Sequence, residues 1–280
     1  MPELPEVETV AQGLRSELVG RACLSAQVLW ERTVDRPEVA AFCAGLTGAR
    51  VVEVGRRGKF VTIRLDTGQT LLTHLRMTGK LLIQAAPDED PYARVRLELD
   101  DGRWLVFADT RKFGRMYLVD DPLDVLGDLG PEPLEEDFTP ERLAEMLGRR
   151  RGRIKPLLLN QSFIAGLGNI YADEALWRAR VHPLQSADRL TREEVGRLHA
   201  GIVSVLGEAL EEGGTSLRDN QYRQPDGGAG AYQDLLAVYG RAGGDCPRCG
   251  ATLERIVVGQ RGTHFCPRCQ VLSGEEGRST

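Results

Sequence analysis

The sequence predicts an α+β fold, in which an N-terminal antiparallel β-sandwich with an N-terminal helix is followed by a helical region and a small cysteine-bearing hairpin. Three patterns carry this expectation. Apolar residues recur at helical spacing at the chain start, they alternate between residues 50 and 119, and two Cys-x-x-Cys pairs stand near the end. Periods of 3.6 and 2 are those of amphipathic helices and half-buried strands.

The first helix is expected from Pro5 onward, where Val7, Val10, Ala11, Leu14 and Leu18 share one face and Glu3, Glu6 and Glu8 sit at its positive end. From Arg50 to Val119 the runs RVVEV, KFVTIRL, QTLLTHL, KLLIQ, ARVRLELD and RWLVFAD alternate, punctuated by Asp66-Thr67-Gly68 and Asp101-Gly102. The acidic, proline-containing stretch from Asp120 to Asp137 reads as a linker, and Thr139-Pro140-Glu141 as the cap and first turn of a helix. Helical patterns continue to about residue 213, with Gly166-Leu167-Gly168 as a tight turn and Asn169 opening the next helix. Residues 213 to 230 lack an apolar period and predict a long mobile loop. The expected domains are 1–132, 133–240 and 241–272.

The 280 residues, 41% of them apolar and 28% charged, suit a soluble globular chain with room for two domains. No run of eighteen apolar residues occurs, and MPELPEVETV carries acids where a signal peptide carries bases. A cytosolic protein without a membrane span is expected. The net charge of −5 disfavours a polyanionic partner only in bulk, because residues 120 to 137 hold eight acids and no base. The remainder of the chain is net positive. Residues 141 to 155 hold six basic residues against two acids, with Arg149, Arg150, Arg151, Arg153 and Lys155 nearly consecutive. Such a run is either a solvated face or a strip that binds phosphates.

Cys246-Pro247-Arg248-Cys249 and Cys266-Pro267-Arg268-Cys269, separated by sixteen residues, match the two knuckles of a four-thiolate zinc ribbon. A closed tetrahedral thiolate site is structural, so one zinc ion should hold a hairpin too small for its own core. His264 is the alternative ligand. Cys23 and Cys43 read as small buried hydrophobes. Five arginines against Asp245 and Glu254 between residues 241 and 270 suit a hairpin lying on phosphates.

The N-terminus carries a further option. A small second residue permits removal of Met1, which would leave Pro2 with a free secondary amine of pKa about 7.7 to 8. Such an amine is nucleophilic at neutral pH. Its attack on a sugar C1′ yields an iminium ion, an electron sink that needs no protonation. On the dipeptide alone, Pro2 and Pro5 could equally do no more than shape a chain end.

MPELPEVETV, GRRGKF at 55 to 60, HLRMTG at 74 to 79, DTRKFG at 109 to 114, GLGNIYADEALW at 166 to 177 and GQRGTHFCPRCQ resemble, in order and over nearly the whole chain, the formamidopyrimidine-DNA glycosylase family. The resemblance implies a helix-two-turn-helix element, a zinc finger, damaged double-stranded DNA as partner, and a monomer in the bacterial cytosol or nucleoid. It implies a bifunctional enzyme that removes oxidised purines and cleaves the abasic site by β,δ-elimination. Residue by residue, it makes Pro2 the nucleophile, Glu3 the proton-transferring acid or base, Glu6 a supporting carboxylate and Lys59 a grip on phosphate flanking the lesion. Asn169 and Arg261 would clamp the backbone; Lys155 and His74 match weaker backbone contacts, and either could equally be structural. Met77, Arg111 and Phe113 would fill the gap left by the flipped base, and the segment from Thr215 to Gly230 would close over that base. The rival readings are an endonuclease VIII-like glycosylase for oxidised pyrimidines, a non-catalytic zinc-ribbon DNA-binding protein, and a proline tautomerase. Tautomerases are much shorter chains without a zinc ribbon. Leu4, Val7-Glu8 and the Arg111-Lys112-Phe113 loop favour the purine branch.

Overall fold

A computed structural model describes residues 1–87, 90–216, 222, 224, 225 and 227–272. The chain forms two compact units, one of Met1–Asp128 with Ala209–Gln233 and one of Leu129–Glu208 with Asp234–Thr280.

The first unit opens with helix α1 (Leu4–Leu18), capped by a reciprocal Glu3–Glu6 box with a proline in the first turn. Its apolar face, Val7, Val10, Ala11, Leu14 and Leu18, is at most 1% exposed. The stretch between α1 and residue 50 contributes elements that its apolar pattern does not announce: β1 (Cys23–Val28), β2 (Val34–Arg36) and α2 (Val39–Leu46). Then follow β3 (Val51–Arg57), β4 (Phe60–Leu65), β5 (Thr70–His74), β6 (Gly79–Gln84), β7 (Ala93–Leu99), β8 (Trp104–Asp109) and β9 (Arg115–Val119).

The strands form two sheets, ordered β1-β7-β8-β6 and β2-β9-β5-β4-β3. Pairing is antiparallel apart from β2 with β9, which is parallel. Alternation predicts burial well: every second residue of β7 is buried. Leu97 and Phe107 of one sheet, Ile63 and Leu71 of the other, and Leu14 of α1 meet in one core. Each such side chain contributes roughly 1.5–3 kcal/mol on leaving water. Cys23 is buried and Cys43 half-buried against this core. Burial pushes the Cys23 thiol up to about 12 and raises Cys43 as well.

The acidic stretch is more than a linker. It contains α3 (Leu123–Leu126), and beyond it the chain folds onto the second unit. There the Gly130 amide donates to the Gln161 carbonyl at 2.9 Å, and the Ala165 amide to the Pro131 carbonyl at 3.0 Å. Phe138 is buried, and Thr139 Oγ1 accepts the Arg142 amide at 3.2 Å to start α4 (Pro140–Gly148). Helices α5 (Ile154–Leu159) and α6 (Asn169–Ala179) are joined by a double turn, followed by α7 (Arg192–Glu211). Gln161 shapes that turn: its Nε2 donates to the Leu159 and Leu167 carbonyls at 3.0 and 2.8 Å, and its Oε1 accepts the Gly166 amide at 3.0 Å. Gly166 takes φ +84°, open to glycine at little cost. Strands β10 (Glu254–Val258) and β11 (Arg261–Phe265) form a hairpin. Its two-residue turn, Gly259-Gln260, has positive φ at both positions, as a type I′ turn requires. Among the described residues no helix is long and apolar enough to cross a membrane.

Candidate active site and nucleic-acid interface

Pro2 is buried at the head of α1, followed by Glu3 and Glu6, 3% and 2% exposed. Glu6 joins two segments. Its Oε2 accepts the Glu3 amide and its Oε1 the Thr215 amide, each at 2.7 Å. Gly214, at φ +84°, lies so close that a Cβ there would stand 2.9 Å from Glu6 Oε1. The carboxylate therefore fixes the first turn of α1 against the base of the glycine-rich segment, at a helix end where negative charge is favoured. Within that segment residues 217–221, 223 and 226 lie outside the described residues. The described remainder is a loop without helix or strand, held at several points. The Gly230 amide donates to Ser216 Oγ at 2.9 Å, Tyr222 Oη to the Gly213 carbonyl at 3.0 Å, and Pro225 packs on Gly13.

Lys59 occupies the two-residue turn between β3 and β4 and is 5% exposed. His74 ends β5 opposite Phe60, edge to face at 4.7 Å between ring centroids. Burial, reinforced by the Arg76 and Lys59 charges, lowers its pKa to about 3. Its Nδ1 accepts the Arg76 amide at 3.0 Å, so the proton of the neutral ring is on Nε2. His74 is thus a neutral donor that carries no charge.

Met77 and Phe113, 40% and 46% exposed, stand on neighbouring loops as large apolar side chains outside the core. Arg111 joins them: Nη1 lies 3.2 Å from Met77 Sδ and the guanidinium 4.7 Å from the Phe113 ring centroid. The organiser is Asp109, 1% exposed, which the sequence reading left without a role. It accepts the Thr78 hydroxyl, the Arg111 amide at 3.1 Å and the Gly114 amide at 2.7 Å. Beneath the loops lies Phe107. A Cβ on Gly79 would meet its ring at 2.9 Å, and one on Gly114 at 2.3 Å.

In the second unit Lys155, by its surroundings, fits the structural one of its two readings. It is fully buried, with Nζ 2.5 Å from Asp173 Oδ1, 2.8 Å from Thr263 Oγ1 and 3.2 Å from the Gly262 carbonyl. Three acceptors around the ammonium make it a brace between α6 and the hairpin, not a surface charge for a phosphate. Asn169 opens α6, its Nδ2 donating to the Gly262 carbonyl at 3.0 Å, while its Oδ1 is buried without a partner among the described residues. Arg261 is exposed at the start of β11.

The sulfur atoms of Cys246, Cys249, Cys266 and Cys269 lie within 4.8 Å of one another, a donor set and spacing that fit one structural zinc ion. Burial opposes ionisation of Cys246, yet hydrogen bonds from the Trp177 indole and the Arg248 and Cys249 amides outweigh it and bring the thiol down to about 6. His264 is engaged elsewhere: its amide and Nδ1 lie 2.8 and 3.2 Å from Asp173 Oδ2. Glu174, also unassigned from the sequence, accepts the amides of Ala237, Val238 and Tyr239 at 2.8 to 2.9 Å. The available signal for Asp173 and Glu174 was their place inside an otherwise apolar run.

Three family models match the chain: the formamidopyrimidine-DNA glycosylase N-terminal domain over residues 1–116, its H2TH domain over 129–221, and the zinc finger found in FPG and IleRS over 244–271. The formamidopyrimidine-DNA glycosylase of Roseiflexus sp. (strain RS-1) is 50% identical over 96% of this chain and 100% of its own. That of Chloroflexus aggregans is 49% identical over 97% and 99%. Among solved structures, the MutM (Fpg) protein from Thermus thermophilus superposes with a TM-score of 0.88 at 44% identity, covering 97% of this chain and 99% of that one. The Lactococcus lactis Fpg in complex with an abasic site containing DNA gives 0.88 at 37% identity, covering 96% and 99%.

Proposed function

Because the chain belongs to the formamidopyrimidine-DNA glycosylase family, we propose that it excises 8-oxoguanine and formamidopyrimidines from duplex DNA through the amine of Pro2. It is a DNA glycosylase and abasic-site lyase of base excision repair, with zinc in a structural role. The observation that carries the proline mechanism is the buried Pro2-Glu3 pair, held at a capped helix end by Glu6.

The reaction begins with the lesion outside the stack, at a cost of a few kcal/mol. The Pro2 nitrogen attacks C1′ as the bond to the base breaks, and the base leaves with a proton. Glu3 delivers a proton to O4′ as the sugar ring opens, leaving an iminium ion between C1′ and Pro2. Loss of a C2′ proton then breaks the C3′–O3′ bond, and a second elimination breaks C5′–O5′. Water hydrolyses the iminium and restores the amine. Met77, Arg111 and Phe113 occupy the space vacated by the base, with Arg111 facing the orphaned cytosine. Lys59, Asn169 and Arg261 hold backbone phosphates, and His74 adds an uncharged donor. The division into catalytic, helix-two-turn-helix and zinc-finger parts near residues 132 and 240, a monomeric state and a site of action in the cytosol or nucleoid belong to the same reading.

Borohydride reduction on a duplex carrying 8-oxoguanine tests it. Protein with Met1 removed should become covalently linked to DNA, and protein retaining Met1 should not. Processed, zinc-loaded protein that binds the duplex yet is never trapped would overturn the mechanism. Excision of 8-oxoguanine opposite cytosine in preference to thymine glycol separates the purine reading from the pyrimidine one.

A further inference from the structure

Trp30 lies outside every motif named above, yet it stands beside the loop that carries Arg111 and Phe113. The ammonium of Lys112, the residue between those two, is 3.8 Å from the centroid of the Trp30 ring. Lys112 has φ +60°, a conformation that glycine adopts freely and a lysine adopts at a cost. A left-handed residue interrupts the usual alternation of side chains, and here its neighbours meet, with the Arg111 guanidinium over the Phe113 ring. A glycine at 112 would allow this backbone but could not be held there from outside. The lysine can, because a cation over an indole face is attracted to it.

Trp30 is itself fixed. The amides of Leu29 and Trp30 both donate to the Arg94 carbonyl, at 2.8 and 3.2 Å, and Arg94 Nε donates to the Asp109 carbonyl at 2.9 Å. The same Asp109 organises the loop through its carboxylate. The indole N–H is buried without a partner among the described residues, so the ring face is the part of Trp30 that is engaged.

We propose that Trp30 is a positioning residue for duplex insertion: by gripping Lys112 it holds the left-handed turn that presents Arg111 and Phe113 together. This rests on reading Arg111 and Phe113 as the residues that enter the gap. The test uses zinc-loaded, full-length protein with Met1 removed and a duplex with 2-aminopurine beside 8-oxoguanine, whose fluorescence reports insertion. Trp30→Leu should slow the insertion signal and lower kcat/KM on 8-oxoguanine opposite cytosine roughly five- to twenty-fold, the range of a partly desolvated cation–π contact. Trp30→Phe should recover most of this, because a ring face remains. Lys112→Met should match Trp30→Leu, and the double variant should be no worse than either. A normal insertion signal in Trp30→Leu, or losses that add in the double variant, would overturn the proposal. If Trp30→Leu fails to fold, the exposed Lys112→Met carries the test alone, and normal insertion in it overturns the proposal. Phe113→Ala separates the two readings: if it also inserts normally the gap-filling reading falls, whereas its loss beside a normal Trp30→Leu removes only the role of Trp30.

Discussion

Two buried aspartates, Asp109 in the first unit and Asp173 in the second, are each 1% exposed and each organise their surroundings, but by opposite chemistry. Asp109 collects neutral donors, a hydroxyl and two amides, two of the three from within five residues of itself. Asp173 forms a salt bridge to Lys155 and accepts from His264, joining segments 18 and 91 residues away. The first arrangement shapes a loop and leaves its side chains outward. The second fastens remote segments and leaves nothing exposed. Equal burial of the same residue type thus serves presentation in one unit and assembly in the other.

Removing the cation breaks the second arrangement most severely. Lys155→Met leaves Asp173 charged and buried, which should cost roughly 3–5 kcal/mol. Urea unfolding of the zinc-loaded protein would reveal it, and a loss under about 1 kcal/mol would refute the role of brace. Asp109→Ala should cost less, about 1–3 kcal/mol from donors left without an acceptor. Its larger effect should be functional: excision of 8-oxoguanine should fall further than borohydride trapping on a preformed abasic site, where no base must be flipped. Equal losses on both substrates would mean that Asp109 serves the fold alone.

The smallest effect sharpens the contrast between a buried cation with a carboxylate partner and a buried base facing cations. His74 stays neutral in the fold down to about pH 3, whereas in the unfolded chain it takes up a proton near 6.5. The folded state then binds fewer protons, so stability is lost as pH falls below about 6.5, by at most about 1.4 kcal/mol per unit. Between pH 7 and 5 the urea midpoint of the natural protein should fall more steeply than that of His74→Phe. Parallel slopes would assign the acid sensitivity to other groups.

Much of this architecture was legible because it is local. The helical stripe of α1, the alternation of β7 and the cysteine spacing each declare themselves within a few residues. Strands β1 and β2 were missed because they are only partly buried, β2 being three residues long, and their partners, β7 and β9, lie some seventy to eighty residues onward. The choice between the two readings of Lys155 was hidden for a related reason. A run of bases suggests a surface, and only the approach of Asp173 and Thr263, invisible in local sequence, turns one of them inward. The candidate nucleophile, its supporting Glu6 and the exposed Met77 and Phe113 came from motif resemblance, while Asp109, which holds the loops of the latter two, emerged only from the fold.

The ring of Phe107 has a consequence for how this chain can change over time. Gly79 and Gly114 each border a loop bearing a protruding side chain, and both abut that single ring so closely that neither accommodates even a methyl group. The three positions are therefore not independent letters. A lineage that enlarged Gly114 would have to shrink the phenylalanine in step, and both protrusions would lose their common floor, whereas at Gly79 the Leu75 carbonyl, 2.4 Å from an added Cβ, bars a methyl group even then.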